Sequence, residues 1–425
     1  MAIATDNVKS MQGYTLHTIQ TTQYKTNTLV LKMKAPLSEK SVTQRSLLPY
    51  VLQASTKNYP TTPQLRSYLD ELYGASFYVD VGKKGEYDVI SFTMEIANEK
   101  FLSDPAPLLE KGFALLADIL LKPNSTDTAF DELSFTNEKR SLKQRIQSLF
   151  DDKMRFASTR LIEEMCQGEP YSLETLGNNK DLEAITAESL YSYYKQAIAE
   201  DEIDLYVIGD VEQTQVEHFA DRYLKLEARQ PVQMRSIQKD VVEAKEVLEK
   251  DDVKQGKLNI GYRTQIVYGD PDYYALQVFN GIFGGFSHSK LFINVREKAS
   301  LAYYAASRLE SHKGLLIVMS GIETANYRQA VQIISEQMKA MKNGEFSEQE
   351  LEQTKAVIRN QILETIDSPR GLVEILYHNV IAKIDIPLEN WLQATEKITK
   401  SEIVEAGKKI ELDTVYFLTG TEVPQ

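Results

Sequence analysis

Cysteine occurs once in 425 residues, at Cys166. Intramolecular disulfides and a cysteine-built structural zinc site are therefore excluded, as suits a reducing compartment. The setting of the thiol, Glu163-Glu164-Met165-Cys166, is acidic and opposes thiolate formation, so an incidental thiol is expected rather than a nucleophile. Histidine is nearly as scarce: His17, His218, His288, His312 and His378, no two within six positions. They yield neither a His-x-x-Glu-His nor a His-Glu-x-x-His helix, the frames on which peptidase zinc is usually held. No Gly-x-Ser-x-Gly elbow is present. No run of about 18 apolar residues occurs, and the opening MAIATDNVKS lacks the apolar core of a signal peptide. The expectation is a cytoplasmic protein with no membrane span and no cofactor of its own.

Basic residues are outnumbered, 48 Lys and Arg against 61 Asp and Glu, for a net charge of -13. Such a surface repels phosphate backbones, and short basic runs such as Lys139-Arg140 and Lys408-Lys409 are mixed with acids. Nucleic acid is not an expected partner. An apolar fraction of 42% in a chain of this length is that of a folded protein with more than one core.

Strand-like alternation at Thr28 to Lys34, Asp88 to Ile96 and Asp204 to Ile208 is separated by helical patterns at Thr62 to Tyr73, Pro107 to Leu121 and Asp131 to Glu164. That order predicts an α+β fold. It then recurs. FDELSFTNEKRSLKQRI from Phe130 aligns without a gap with FSEQELEQTKAVIRNQI from Phe346, so that Phe130/Phe346, Lys139/Lys355 and Ile146/Ile362 coincide. Ile185-Thr186 and Ile398-Thr399 each open a late helix, and an apolar strand follows each. The ordered set indicates duplication. Residues 1–228 and 245–425 are expected to be the two homologous domains, joined by a charged linker at 229–244.

In the second copy, Gly281-Ile282-Phe283-Gly284-Gly285 lacks the spacing of a dinucleotide fingerprint and is served equally by a helix end with a tight turn and by a ligand role. Arg296 is expected to close the next helix, and Tyr303 to lie near the start of a strand over Leu301 to Ser307. A guanidinium and a phenol so placed can converge on one carbonyl or carboxylate. Periodicity alone favours a solvated arginine and a packed tyrosine.

Over essentially its whole length the chain resembles the pitrilysin family of zinc metallopeptidases, which includes the mitochondrial processing peptidase subunits. The resemblance implies two pitrilysin-type domains, each an antiparallel-rich sheet packed against helices, around a peptide-holding chamber. Matching the turn after the family's zinc helix to Lys57-Asn58-Tyr59-Pro60 puts Ser46 and Tyr50 at the ligand histidines and Pro49 at the base glutamate. The third ligand, a glutamate, falls at Arg145. None of these residues can do the zinc chemistry, and no histidine lies between His17 and His218 to replace them. By contrast, Gly284-Gly285, Lys290-Leu291-Phe292, Val295 to Lys298 and Leu301-Ala302-Tyr303 follow the family pattern. The resemblance implies that Arg296 and Tyr303 hold a substrate backbone and polarise its carbonyl. Lys290 stands where relatives often carry arginine.

The expected function is therefore that of a non-catalytic subunit. A zinc-bearing relative would supply the metal, and this chain would shape the peptide chamber with Arg296 and Tyr303. The alternative is a stand-alone binding or scaffold protein for peptide or unfolded protein. The nearest resemblance is to a bacterial non-catalytic branch associated with modification of translation elongation factor P. A homodimer is also compatible with the sequence. Ser76-Phe77-Tyr78-Val79 is expected to form either an edge strand able to receive peptide by strand addition or an ordinary packed strand.

Overall fold

The computed structural model describes residues 5–103, 106–234 and 239–420. The chain forms two compact units: Met1–Gln147 with Leu173–Arg235 and Pro369–Val373, and Ser148–Ser172 with Ser236–Ser368 and Glu374–Gln425.

The first unit is built on six strands: β1 (Asp6–Met11), β2 (Tyr14–Gln20), β3 (Thr26–Pro36), β4 (Ser76–Lys84), β5 (Tyr87–Ala97) and β6 (Glu202–Gly209). Their order is β1-β2-β6-β3-β5-β4. β3 sits inside the sheet, antiparallel to both β5 and β6. The partial alternation of its sequence suggests a half-buried strand, but eight consecutive residues, Asn27 to Lys34, are buried. The alternating lysines are thereby drawn inside and satisfied there. Lys32 donates to Ser91 Oγ at 3.0 Å, and Lys34 pairs with Glu202 at 2.8 Å.

The second unit carries β7 (Lys245–Lys250), β8 (Gly256–Arg263), β9 (Ala302–Glu310), β10 (Leu315–Ile322) and β11 (Glu411–Thr419), in the order β7-β11-β8-β10-β9. Each of these strands, in chain order, has its counterpart in β2 to β6. Even the lone parallel pairing recurs, β2 with β6 and β7 with β11. The fold is thus α+β, with two homologous antiparallel-rich sheets packed against helices, and the duplication extends to helix caps. Asp131 Oδ2 accepts from Ser134 N at the start of Glu132–Asp151, and Ser347 caps Glu348–Ile366 with a reciprocal bond from Glu350. Thr186 and Thr399 close capping boxes on Ala187–Glu200 and Lys400–Lys408.

Four helices matter for the site: α1 (Val42–Ala54), α2 (Thr62–Glu71), α3 (Leu108–Leu121) and α4 (Glu132–Asp151). The pattern from Asp131 to Glu164 breaks at Asp152, whose side chain accepts from Met154 N and Arg155 N and so starts a new helix, α5 (Lys153–Met165). The first unit does not run unbroken to residue 228, because α5 packs on β8 and β11 in the second unit. A Cβ on Gly261 of β8 would come within 2.5 Å of Met165 Sδ, so the missing side chain lets the helix approach. Beyond α5, Glu169 accepts from Arg263 Nη2 at 2.6 Å and pairs with Lys313 at 2.7 Å, while Arg263 Nε donates to Asp413 at 2.7 Å.

Among the described residues no helix is long and apolar enough to cross a membrane.

Candidate functional site

In the first unit, α1 presents Leu48, Val51 and Leu52 to the core, and Arg45 shares that buried stripe. A buried guanidinium needs several oxygens around it. Arg45 Nη1 donates to Asp201 at 2.6 Å and to Tyr193 Oη at 3.2 Å, and Nη2 donates to the Met33 carbonyl at 2.6 Å. Asp88 lies 3.4 Å from Nε. Burial pushes the Asp88 carboxyl up to about 6 against the pull of Arg45. These contacts fix the helix that carries Ser46, Pro49 and Tyr50.

Ser46 and Pro49 are buried within α1, and Pro49 brings neither a side-chain base nor a backbone N–H to its middle. Arg145 of α4 places its guanidinium carbon 3.6 Å from the centroid of the Tyr50 ring. A cation–aromatic stack therefore joins two of the positions where the resemblance calls for zinc ligands. This donor set does not fit zinc: one hydroxyl, one imino acid, one phenol engaged at its face and one fixed cation. Among the described residues no three histidine, cysteine or carboxylate side chains converge as metal ligands.

Beside the stack is an open cavity of about 460 Å³, lined among others by Tyr50, Gln53, Arg66, Asp70, Phe77 and Glu138. Burial raises the pKa of Glu138, and Arg145, two turns further along α4, opposes the rise. One wall is the start of β4, an outermost strand of its sheet, so of the two alternatives for Ser76 to Val79 the structure has the edge strand. An outermost strand offers unpaired backbone N–H and C=O groups. Gln53 Nε2 donates to the Phe77 carbonyl at 3.0 Å and ties α1 to that strand.

In the second unit, the helix Tyr273–Asn280 does not end at the glycines. It continues into a π-helical turn, Gly281–Gly285. The expected helix end and tight turn is thus corrected, since Gly284 serves close packing. A Cβ there would lie 2.5 Å from Ser307 Oγ and 2.7 Å from Leu291 Cδ1. A Cβ on Gly285 would touch Asn280 Nδ2 at 3.0 Å. His288 hydrogen-bonds Thr354 Oγ1 at 2.9 Å, and burial lowers its pKa, so it pins this turn as a neutral ring.

A second π-helical stretch, Phe292–Lys298, carries Arg296 in its last turn, close to where the helix ends. π-turns are rare and recur at functional sites. Arg296 is exposed, with its guanidinium carbon 4.5 Å from the centroid of the Phe292 ring. Ser300 then takes φ +52°, a left-handed value, and turns the chain into β9. Tyr303, near the head of that strand, is 77% exposed, and β9 is an outermost strand of its sheet. Among the described residues neither the Arg296 guanidinium nor the Tyr303 hydroxyl has a hydrogen-bond or ion-pair partner. Lys290 is held 3.5 Å from Glu350. The pattern of residues around Arg296 and Tyr303 did not point to Phe292, Glu138 or Arg45. Only Arg45 leaves a signal in the sequence, a charge on the apolar stripe of a helix.

Among the described residues, the first unit offers an outermost strand beside a cavity, and the second offers the exposed donors Arg296 and Tyr303. The model of the peptidase M16 inactive domain matches residues 184–358. The chain is 58% identical over 411 residues, 96% of each chain, to "Probable inactive metalloprotease YmfF" of Bacillus subtilis (strain 168). It is 23% identical over 57% of its length to "Uncharacterized zinc protease YmxG" of the same organism, of which 59% is covered. A crystal structure of a conserved protein from Enterococcus faecalis V583 superposes with a TM-score of 0.92 at 35% identity, covering 99% of both chains.

Proposed function

The chain belongs to the M16, or pitrilysin, peptidase family as a homologue of its inactive members, and from that premise we propose that it is a non-catalytic subunit. It holds an extended peptide while a zinc-bearing family member supplies the metal, its ligands and the general base. The observation that carries this reading is the pair Arg296 and Tyr303, both exposed and both without a hydrogen-bond or ion-pair partner among the described residues of their own chain. Guanidinium N–H groups and a phenol O–H are suited to a peptide carbonyl, and stabilise it more as negative charge builds on its oxygen. The chemistry of Ser46, Pro49, Tyr50 and Arg145, unsuited to zinc, supports a reading in which a partner does the hydrolysis, and the similarity to an uncharacterised zinc protease of Bacillus subtilis supports a family relative as that partner. The outermost strand β4 and its cavity offer a second place where peptide backbone and one side chain are received.

The test is native co-purification of the tagged chain with zinc measured on the eluate. A near-equal complex with a zinc-bearing M16 protein supports the assignment, in the cytoplasm where both would work. Recovery as a metal-free homodimer, or with a target such as elongation factor P or its modifying enzymes alone, replaces it with a stand-alone binding role.

A further inference from the structure

We infer that Phe292 is the positioning residue of Arg296, its ring lying beneath the guanidinium carbon while the N–H groups have no hydrogen-bond partner among the described residues and stay free for peptide. This rests on the reading of Arg296 given above. An exposed arginine samples many rotamers, and each lost on binding weakens the complex. A ring 4.5 Å from the guanidinium carbon removes part of that freedom in advance. The ring attracts the cation without supplying a carbonyl or carboxylate oxygen, so it does not compete with a peptide carbonyl for the five N–H groups. Phenylalanine adds no hydrogen-bonding group that would occupy the fork.

The supporting segment is fixed on its inner side. Leu291 and Val295 are fully buried, and the Phe292 N–H donates to Ser289 Oγ at 3.4 Å. Asn294 Nδ2 donates to the Lys290 carbonyl and to Gln337 Oε1, each at 2.9 Å, and Lys298 reaches Asn294 Oδ1 at 3.2 Å. The half-buried Phe292 thus stands on an anchored stretch while Arg296 faces solvent. One residue aims and the other binds.

The experiment uses the full chain, with fluorescein-labelled fragments of β-casein as an extended-peptide probe read by anisotropy. Alongside it, the Arg296 side-chain N–H resonance is followed by NMR in arginine-labelled protein. Phe292→Leu is expected to weaken probe binding about two- to fivefold, the range for an exposed cation–aromatic contact, and to abolish the ring-current shift of the Arg296 resonance. Phe292→Tyr should match the native chain in both. Pentafluorophenylalanine at 292 keeps the shape but reverses the ring's charge distribution, and should behave as leucine does even if Phe292→Leu folds poorly. Equal binding by the native, leucine and pentafluoro chains, with Arg296→Ala still impaired, overturns the inference and leaves the role of Arg296 standing. An unimpaired Arg296→Ala, or a native chain that does not bind the probe, overturns that role and the inference with it.

Discussion

The guanidinium of Arg145 lies against the ring of Tyr50, 3.6 Å from guanidinium carbon to ring centroid, at two positions where the sequence resemblance calls for zinc ligands. A fixed cation stacked on a phenol excludes a divalent metal by charge as well as by ligand chemistry. The native chain should therefore take up far less than one zinc. A chain carrying Ser46→His, Pro49→Glu, Tyr50→His and Arg145→Glu together should bind about one, as the three-ligand catalytic type does. Elemental analysis after dialysis against zinc checks both. Zinc uptake by the native chain that persists in Tyr50→Ala would place a metal elsewhere and weaken the account.

Arg45 anchors the same helix. Arg45→Met leaves Asp88 and Asp201 buried without their cation, a loss of about 3–5 kcal/mol by analogy with other broken buried pairs. Urea unfolding followed by a probe in the first unit should show it. A change below about 1 kcal/mol would mean that the carboxyls are neutralised or rehydrated at no cost.

His17 supplies a pH dependence. Its Nδ1 lies 2.8 Å from Asp6 and its Nε2 3.5 Å from Asp204. Burial opposes the charge, but the hydrogen bonds and attraction of Asp204 and Asp6 outweigh it and raise the pKa to about 9. A folded pKa above the unfolded value of about 6.5 gives stability that is complete below pH 6.5 and lost as pH rises through 9. Unfolding free energy should fall by about 3 kcal/mol over that window, and His17→Gln should flatten the profile. A native profile as flat as that of the variant would contradict the arrangement.

Ser300 tests the turn between Arg296 and Tyr303. At φ +52° a side chain is strained, and a β-branched one most of all. Ser300→Val should lower the melting temperature of the second unit and weaken peptide binding, at a cost of about 1–2 kcal/mol, whereas Ser300→Gly should hold or raise stability. Calorimetry on the two variants separates these outcomes.

The sequence was most legible where residues act through short-range chemistry. The gapless repeat around Phe130 and Phe346 and the threonines at 186 and 399 became matching helices and caps, because capping is a local hydrogen-bond pattern. That Ser46, Pro49, Tyr50 and Arg145 are unsuited to zinc was equally plain as an expectation, since it rests on residue type alone. What escaped depends on distant partners. The lysines of β3 look solvent-facing until Glu202 and Ser91 arrive from other strands. Residues 148–172 join the second unit because Glu169 finds Arg263 and Lys313, far along the chain. The π-turns around Gly281 and Phe292 leave no periodicity distinct from that of an α-helix over so few residues.

The most direct test is cleavage of fluorescein-labelled casein by the zinc-bearing M16 relative, alone and with stoichiometric amounts of this chain. The account predicts that the native chain raises kcat/KM, and that Arg296→Ala and Tyr303→Phe each remove about tenfold or more of the gain while still assembling. Native and variant chains that support the same rate, or a relative equally active without any of them, would contradict it.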